Sequence, residues 1–140
     1  MCGITGVWWR RSVNSDASRA QLQAMCTALS HRGPDDAGLW IEDAVGLGHR
    51  RLSIVDLSPL GHQPMASSDE RFVICFNGEV FNHDALRAEL SRAGHVFRGS
   101  SDTEVMLAAI REWGLEKAVR RFIGMFAFAL WDRHERALHL

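Results

Sequence analysis

From Met125 to Trp131 the chain reads Met-Phe-Ala-Phe-Ala-Leu-Trp without a polar interruption. A strand sends successive side chains to opposite faces, so Met125, Ala127, Ala129 and Trp131 would share one face and Phe126, Phe128 and Leu130 the other. A strand that is apolar on both sides has to be covered on both. The segment Gly124 to Asp132 therefore predicts a central strand inside a layered structure. It is far shorter than the roughly 20 apolar residues a membrane-spanning helix needs, so no membrane partner is expected.

The rest of the pattern supplies the layers. Cys2 to Trp9 alternates and predicts a strand, and Gly38 to Glu42 and Val45 to Arg51 predict a hairpin turning at Asp43 and Ala44. Phe72 to Phe76, with β-branched Val73 and Ile74, predicts a buried strand ending in Asn77-Gly78. Ala137 to Leu140 begins another after the polar turn Arg133 to Arg136. Ser18 with Gln21 predicts a capping box for a helix over Arg19 to Ser30. Asn82 is placed to cap a second helix stopped by Gly94, and Ser101 with Glu104 a third closed by Gly114. A short helix is expected over Leu115 to Phe122, and Leu57 to Arg71, with Pro59, Gly61 and Pro64, shows no period and predicts a long loop of the kind that is often functional. Strands alternating with helices, several joined by hairpins, give an α+β sandwich.

Composition sets outer limits. At 140 residues and 46% hydrophobic, the chain has the size of one globular domain with a usable core. The net charge is -1 and the arginines are scattered among acidic neighbours, so no nucleic-acid partner is expected. Met1 to Trp9 runs into Arg10 and Arg11 without the layout of a secretory signal. Cys2, Cys26 and Cys75 form neither a disulfide framework nor a metal-ligand spacing, and the histidines show no zinc-type spacing. A cytoplasmic protein with no metal in this chain is the expectation.

Cys2 stands in an unusual place. An aminopeptidase that accepts small second residues would remove Met1 and leave Cys2 at the N-terminus, where its own α-amino group, pKa about 7.7 to 8.0, can take the thiol proton. Taken alone, a cysteine at position 2 is better read as an accident, just as Asn77-Gly78 after a strand reads as a hairpin turn and Asp102 as a residue suited to a helix start.

The company Cys2 keeps changes this. Met1-Cys2-Gly3-Ile4, His31-Arg32-Gly33-Pro34-Asp35, Arg51-Leu52-Ser53-Ile54-Val55-Asp56, Asn77-Gly78-Glu79-Val80-Phe81-Asn82 and Ser101-Asp102-Thr103-Glu104 stand in the order and spacing of class II glutamine amidotransferases. Gly61-His62-Gln63-Pro64-Met65 and Gly124 to Ala129 extend the likeness along the chain, which most resembles the asparagine synthetase branch. One departure is Phe81, where that pattern usually has tyrosine.

The resemblance implies the N-terminal nucleophile hydrolase fold: a four-layer αββα sandwich of two largely antiparallel sheets, with the cysteine at the end of a central strand. It also implies that Cys2 attacks the side-chain amide of glutamine and forms a thioester. The Asn77 side chain and the Gly78 N–H would then serve the oxyanion. Arg51 would grip the α-carboxylate of glutamine, Asp102 and Glu79 its ammonium group, and the Ile54 and Val55 backbone would line the same pocket. Arg50 is read as structural, His31 and His62 as shaping loops, and the tryptophans as core or interface.

Ammonia would pass to a synthetase domain or subunit that activates an acceptor with ATP and Mg. No phosphate-cradling glycine loop occurs within residues 1–140, so no cofactor is expected here. The family pattern continues past Leu140, so residues 1–140 are expected to be an incomplete glutaminase domain, either a fragment or a homo-oligomer covering the missing edge, with little activity as a monomer. A glutaminase-like remnant that only binds or scaffolds is the alternative from another class. Retention of Cys2, Arg51, Asn77, Gly78, Glu79 and Asp102 argues against it. The phosphoribosyl and glucosamine types of glutaminase are disfavoured by Glu79 and by Leu52 to Asp56.

Overall fold

The computed structural model describes residues 1–10 and 16–140. In chain order the elements are β1 (Gly3–Trp8), α1 (Asp16–Ala28), β2 (Asp36–Glu42), β3 (Val45–Arg51), β4 (Met65–Ala66), β5 (Phe72–Val80), α2 (His83–Arg92), α3 (Asp102–Trp113), α4 (Leu115–Arg121), β6 (Gly124–Asp132) and β7 (Ala137–His139). They form a 3-stranded sheet ordered β1-β3-β2 and a 4-stranded sheet ordered β4-β5-β6-β7, antiparallel throughout.

Period-two alternation decides which face of each strand goes where. In β3, Val45 and Leu47 turn inward, while Gly46 and Gly48 face α1, whose Leu22 and Cys26 are fully buried. A Cβ on Gly46 would stand 3.0 Å from Leu22, and one on Gly48 3.5 Å from Cys26, so the glycines let the helix lie close on the sheet. In β5, Phe72, Ile74, Phe76 and Val80 pack with Leu130 of β6 against Leu86, Leu90 and the apolar face of α3. The alternate residues Val73 and Cys75, with Ala129 and Trp131, meet Val45 and Leu47 between the sheets. The order helix, sheet, sheet, helices is the four-layer αββα arrangement that the resemblance implies.

β6 is indeed central, between β5 and β7. Its cover is complete only in part, since Met125 is 75% exposed and Ala127 is also open. The sheets touch at Trp131 and Ala129 and stand apart toward Met125, with Asn77 and Glu79 of β5 on that same diverging face. Cys2 does not lie at the end of a central strand: it precedes β1, which among the described residues pairs only with β3.

Three local expectations change. β5 runs on through Asn77-Gly78 to Val80 in continuous register with β6, so the Asn-Gly pair is no hairpin turn. Ser18 lies inside α1 and buried, instead of capping it. Asn82 occupies the cap position of α2, but its side chain bonds Arg121 O at 3.0 Å and Ile123 N at 2.9 Å, stapling the turn from α4 into β6. Ser101 does cap α3, accepting Glu104 N at 3.3 Å, and Gly114 ends it with φ of 80°. Within the expected long loop lie β4 and a 3-10 turn, Pro59–Gly61. No helix among the described residues is long and apolar enough to cross a membrane.

Candidate active site

Cys2 sits beside the end of β3. Its half-buried Sγ accepts the backbone N–H of Leu52 at 3.3 Å and lies 3.6 Å from the Leu52 carbonyl, to which a thiol can donate. Arg32 Nε donates to the Cys2 carbonyl at 2.9 Å. The sulfur is thus located by backbone leaving the first sheet.

The second sheet presents an open strand edge to it. β4 pairs with β5 only at Val73 and Ile74, so beyond them β5 has no strand neighbour on that side among the described residues. Alternate N–H groups of a strand point to the same edge. Arg133 N bonds Arg71 O and Phe81 N bonds Ile123 O, which assigns the odd-numbered residues of β5 to β6. The even-numbered ones face away: Phe76 N–H donates to Gln63 Oε1 at 2.6 Å and Val80 N–H to Asp102 Oδ2 at 3.0 Å. Gly78 lies between them, and its N–H has no acceptor among the described residues. Its φ is 153°, and a Cβ there would come within 2.5 Å of Phe126 Cα, so only glycine fits.

Asn77 and Glu79 project from the other face of β5, toward the gap between the sheets. Neither side chain has a hydrogen-bond partner among the described residues. Arg51 is 7% exposed, and its guanidinium is already engaged: Nη1 donates to Ser58 O at 2.8 Å and Nη2 to Asp56 O. Asp56 builds this loop, accepting Ser58 N at 2.7 Å, Ser58 Oγ at 2.6 Å and Ser100 N at 2.9 Å. The Ser58 hydroxyl, foremost, holds the Asp56 carboxyl down at about 2. Asp102 opens α3 at 5% exposure; desolvation raises its pKa against the opposing bond from Val80.

All the site residues picked out in the sequence meet here. Cys2, Arg51, Ile54, Val55, Asn77, Gly78, Glu79 and Asp102 line one cavity of about 250 Å³. Met1 and Phe81 border its mouth, 75% and 55% exposed. Gln63, Asp56 and Thr103 also line it, and sequence reasoning gave none of them a role. The only signal for Gln63 was its place in the family-like segment Gly61 to Met65. The other thiols stand apart: Cys26 and Cys75 are fully buried, and burial pushes both upward in pKa. His62 Nδ1 lies 2.7 Å from Asp36 Oδ2 in a neighbouring cleft, tying its loop to the start of β2. No group of three or more His, Cys, Asp or Glu among the described residues could hold a metal ion.

A cysteine, an unpaired amide, an unpaired strand N–H, a buried arginine and carboxylates around a space suited to a molecule smaller than a drug form a set fit for nucleophilic attack on a small polar substrate. Residues 1–140 match the model of a family described as the glutamine amidotransferase domain. The chain is 41% identical over 140 residues to asparagine synthetase [glutamine-hydrolyzing] 1 of Bacillus subtilis, covering 99% of this chain and 22% of that protein. It is 40% identical over 139 residues to asparagine synthetase B [glutamine-hydrolyzing] of Escherichia coli, covering 98% of this chain and 24% of that one. The chain thus spans less than a quarter of the length of these relatives. Among solved structures, glutamine phosphoribosylpyrophosphate amidotransferase from B. subtilis shares the fold with a TM-score of 0.74 at 19% identity, over 94% of this chain and 35% of that one.

Proposed function

This chain belongs to the glutamine amidotransferase domain family, and from that premise we propose that it cleaves the side-chain amide of glutamine to glutamate and ammonia through a Cys2 thioester. The observation that carries the reading is the Gly78 N–H, left without an acceptor among the described residues on the same cavity as the Cys2 sulfur.

The Cys2 thiolate attacks the amide carbon, and the oxygen that becomes negative is received by the Gly78 N–H and the Asn77 amide. With Met1 removed, the α-amino group of Cys2 takes the thiol proton and returns it to the leaving ammonia. Met1 is exposed and open to that removal. Water then attacks the thioester, releasing glutamate and restoring the thiol. Arg51 uses its remaining N–H hydrogens on the α-carboxylate, since a guanidinium has five and two are engaged by loop carbonyls. Asp102, with Oδ1 left over from its bond to Val80, and Glu79 receive the substrate ammonium.

Ammonia is passed to a synthetase domain or subunit that activates an acceptor carboxylate. ATP and Mg act there and not on this chain, and the names of the relatives favour asparagine as the product. The test is ammonia release from glutamine together with intact-mass analysis. Ammonia release by a chain that lacks Met1 and shows a transient glutamyl adduct supports the reading. Absence of ammonia release, or turnover by a chain that retains Met1, contradicts it.

A further inference from the structure

Gln63 touches no substrate in the reading above, yet it is 5% exposed and both ends of its side chain are bonded. Its Oε1 accepts the Phe76 N–H at 2.6 Å, and its Nε2 donates to Thr103 Oγ1 at 3.3 Å. Phe76 is gripped from its other end too, since His49 Nε2 lies 3.0 Å from the Phe76 carbonyl. That oxygen can only accept, so Nε2 carries the imidazole proton.

A matching grip lies two residues past Gly78, where Val80 N–H meets Asp102. Thr103, the residue after Asp102, receives the Gln63 amide and joins the two grips. A closed circuit therefore runs from Phe76 through Gln63, Thr103 and Asp102 to Val80, with Gly78 at its centre. A strand edge without a neighbour is free to twist and to pair elsewhere. Here Gln63 takes the place of the missing strand at one residue and leaves the next N–H on that edge open.

We propose that Gln63 is a positioning residue that holds the Gly78 N–H in line with the oxyanion by clamping the Phe76 peptide; this rests on the glutaminase reading above. An oxyanion donor works only within a few tenths of an ångström of the position that the transition-state oxygen will occupy. Loss of the clamp thus lowers turnover and leaves ground-state binding in place.

The experiment compares the protein with its Gln63→Met variant, which keeps the side-chain length and removes both bonding ends. Three quantities are read: ammonia release, inhibition by glutamate, and inhibition by the γ-aldehyde analogue of glutamine, whose thiohemiacetal with a cysteine carries the tetrahedral oxygen. The expected result is a kcat lower by roughly 10- to 100-fold with KM within about threefold. The aldehyde inhibition constant should rise in step with the loss of kcat/KM while that of glutamate stays put. Equal weakening of both inhibitors, or unchanged kinetics, overturns the proposal. Should Gln63→Met not fold, Thr103→Val frees the Gln63 Nε2 end while sparing the bond from Phe76 N–H to Gln63 Oε1. The same divergence of the two constants, smaller in size, supports the clamp, and an unchanged ratio overturns it. A parent protein that releases no ammonia sinks the glutaminase reading and this inference with it, an outcome visible before any variant is made.

Discussion

The sulfur of Cys2 and the backbone N–H of Leu52 meet at 3.3 Å, so the residue that follows Arg51 out of β3 fixes where the thiol sits. Because the bond runs from backbone to sulfur, replacing the side chain leaves the surrounding chain trace intact. Cys2→Ala should abolish ammonia release and leave the circular dichroism spectrum unchanged. Full release by the Ala variant would remove Cys2 from the chemistry.

An electrophilic glutamine analogue should label Cys2 and spare Cys26 and Cys75. Both of the latter are fully buried and pushed upward in pKa, so neither offers a thiolate to solvent near neutrality. Peptide mass mapping reads the outcome, and label confined to Cys26 or Cys75 would contradict the assignment.

Arg51→Ala and Asp102→Ala should raise KM, each leaving one charged end of the substrate unpaired at a cost of roughly 1 to 3 kcal/mol. Asn77→Ala should lower kcat instead, because its amide matters most once the oxyanion exists. Asp102→Ala should also cost stability, since it strips the acceptor from Val80 N–H. Steady-state kinetics separate the classes. A KM effect alone for Asn77→Ala, with a kcat effect alone for Arg51→Ala, would reverse the roles.

Gly78→Ala should destabilise the protein by about 1 to 3 kcal/mol and remove its activity, because a methyl group meets β6 backbone and a φ of 153° disfavours any side chain. Denaturant unfolding measures this directly. A variant with parental stability would mean that β5 can shift away from β6 here.

Acid should loosen the fold in two windows. Burial depresses His49 from near 6.5 in an unfolded chain to about 4. The unfolded state therefore gains its proton first, and stability present above pH 6.5 is lost toward pH 4 at roughly 1.4 kcal/mol per pH unit. Asp56, held at about 2 chiefly by the Ser58 hydroxyl, behaves alike lower down. Its contribution is present above about pH 3.9 and fades as pH falls toward 2, freeing the loop that engages Arg51. Urea midpoints measured from pH 7 to about pH 2 test both. His49→Gln should flatten the upper window, and a parental midpoint constant from pH 7 to pH 4.5 would contradict the burial of a neutral imidazole.

Much of this was legible because it is local. The alternation in Met125 to Trp131 announces a central strand, and Ser101 with Gly114 brackets α3 by backbone chemistry that a sequence shows directly. Asn77-Gly78 was ambiguous for a physical reason: glycine serves a tight turn and a close strand approach equally well, and only the pairing of Gly78 with Phe126 decides between them. Ser18 misled because a serine with a glutamine three residues on carries the capping pattern wherever it stands, and here the helix already runs at Asp16, so the pair falls inside it. The site residues themselves could be picked out through motif order, whereas Gln63 could not be assigned. Its partners, Phe76 and Thr103, are distant in sequence, and no period marks a glutamine that bonds across layers.

The divergence of the two sheets leaves β5 and β6 packed unequally on their inner face. They meet the first sheet where Trp131 and Ala129 pack on Val45 and Leu47, and that face is open at Met125, roughly 20 Å from Trp131 at 3.4 Å per residue. A change of volume at the packed end acts on the spacing of the sheets, so a methyl group added at Ala129 should widen the gap around Cys2. The aperture through which a substrate passes is thus geared to core residues that never meet it. Drift in that interior would retune access while every group around the sulfur stayed the same.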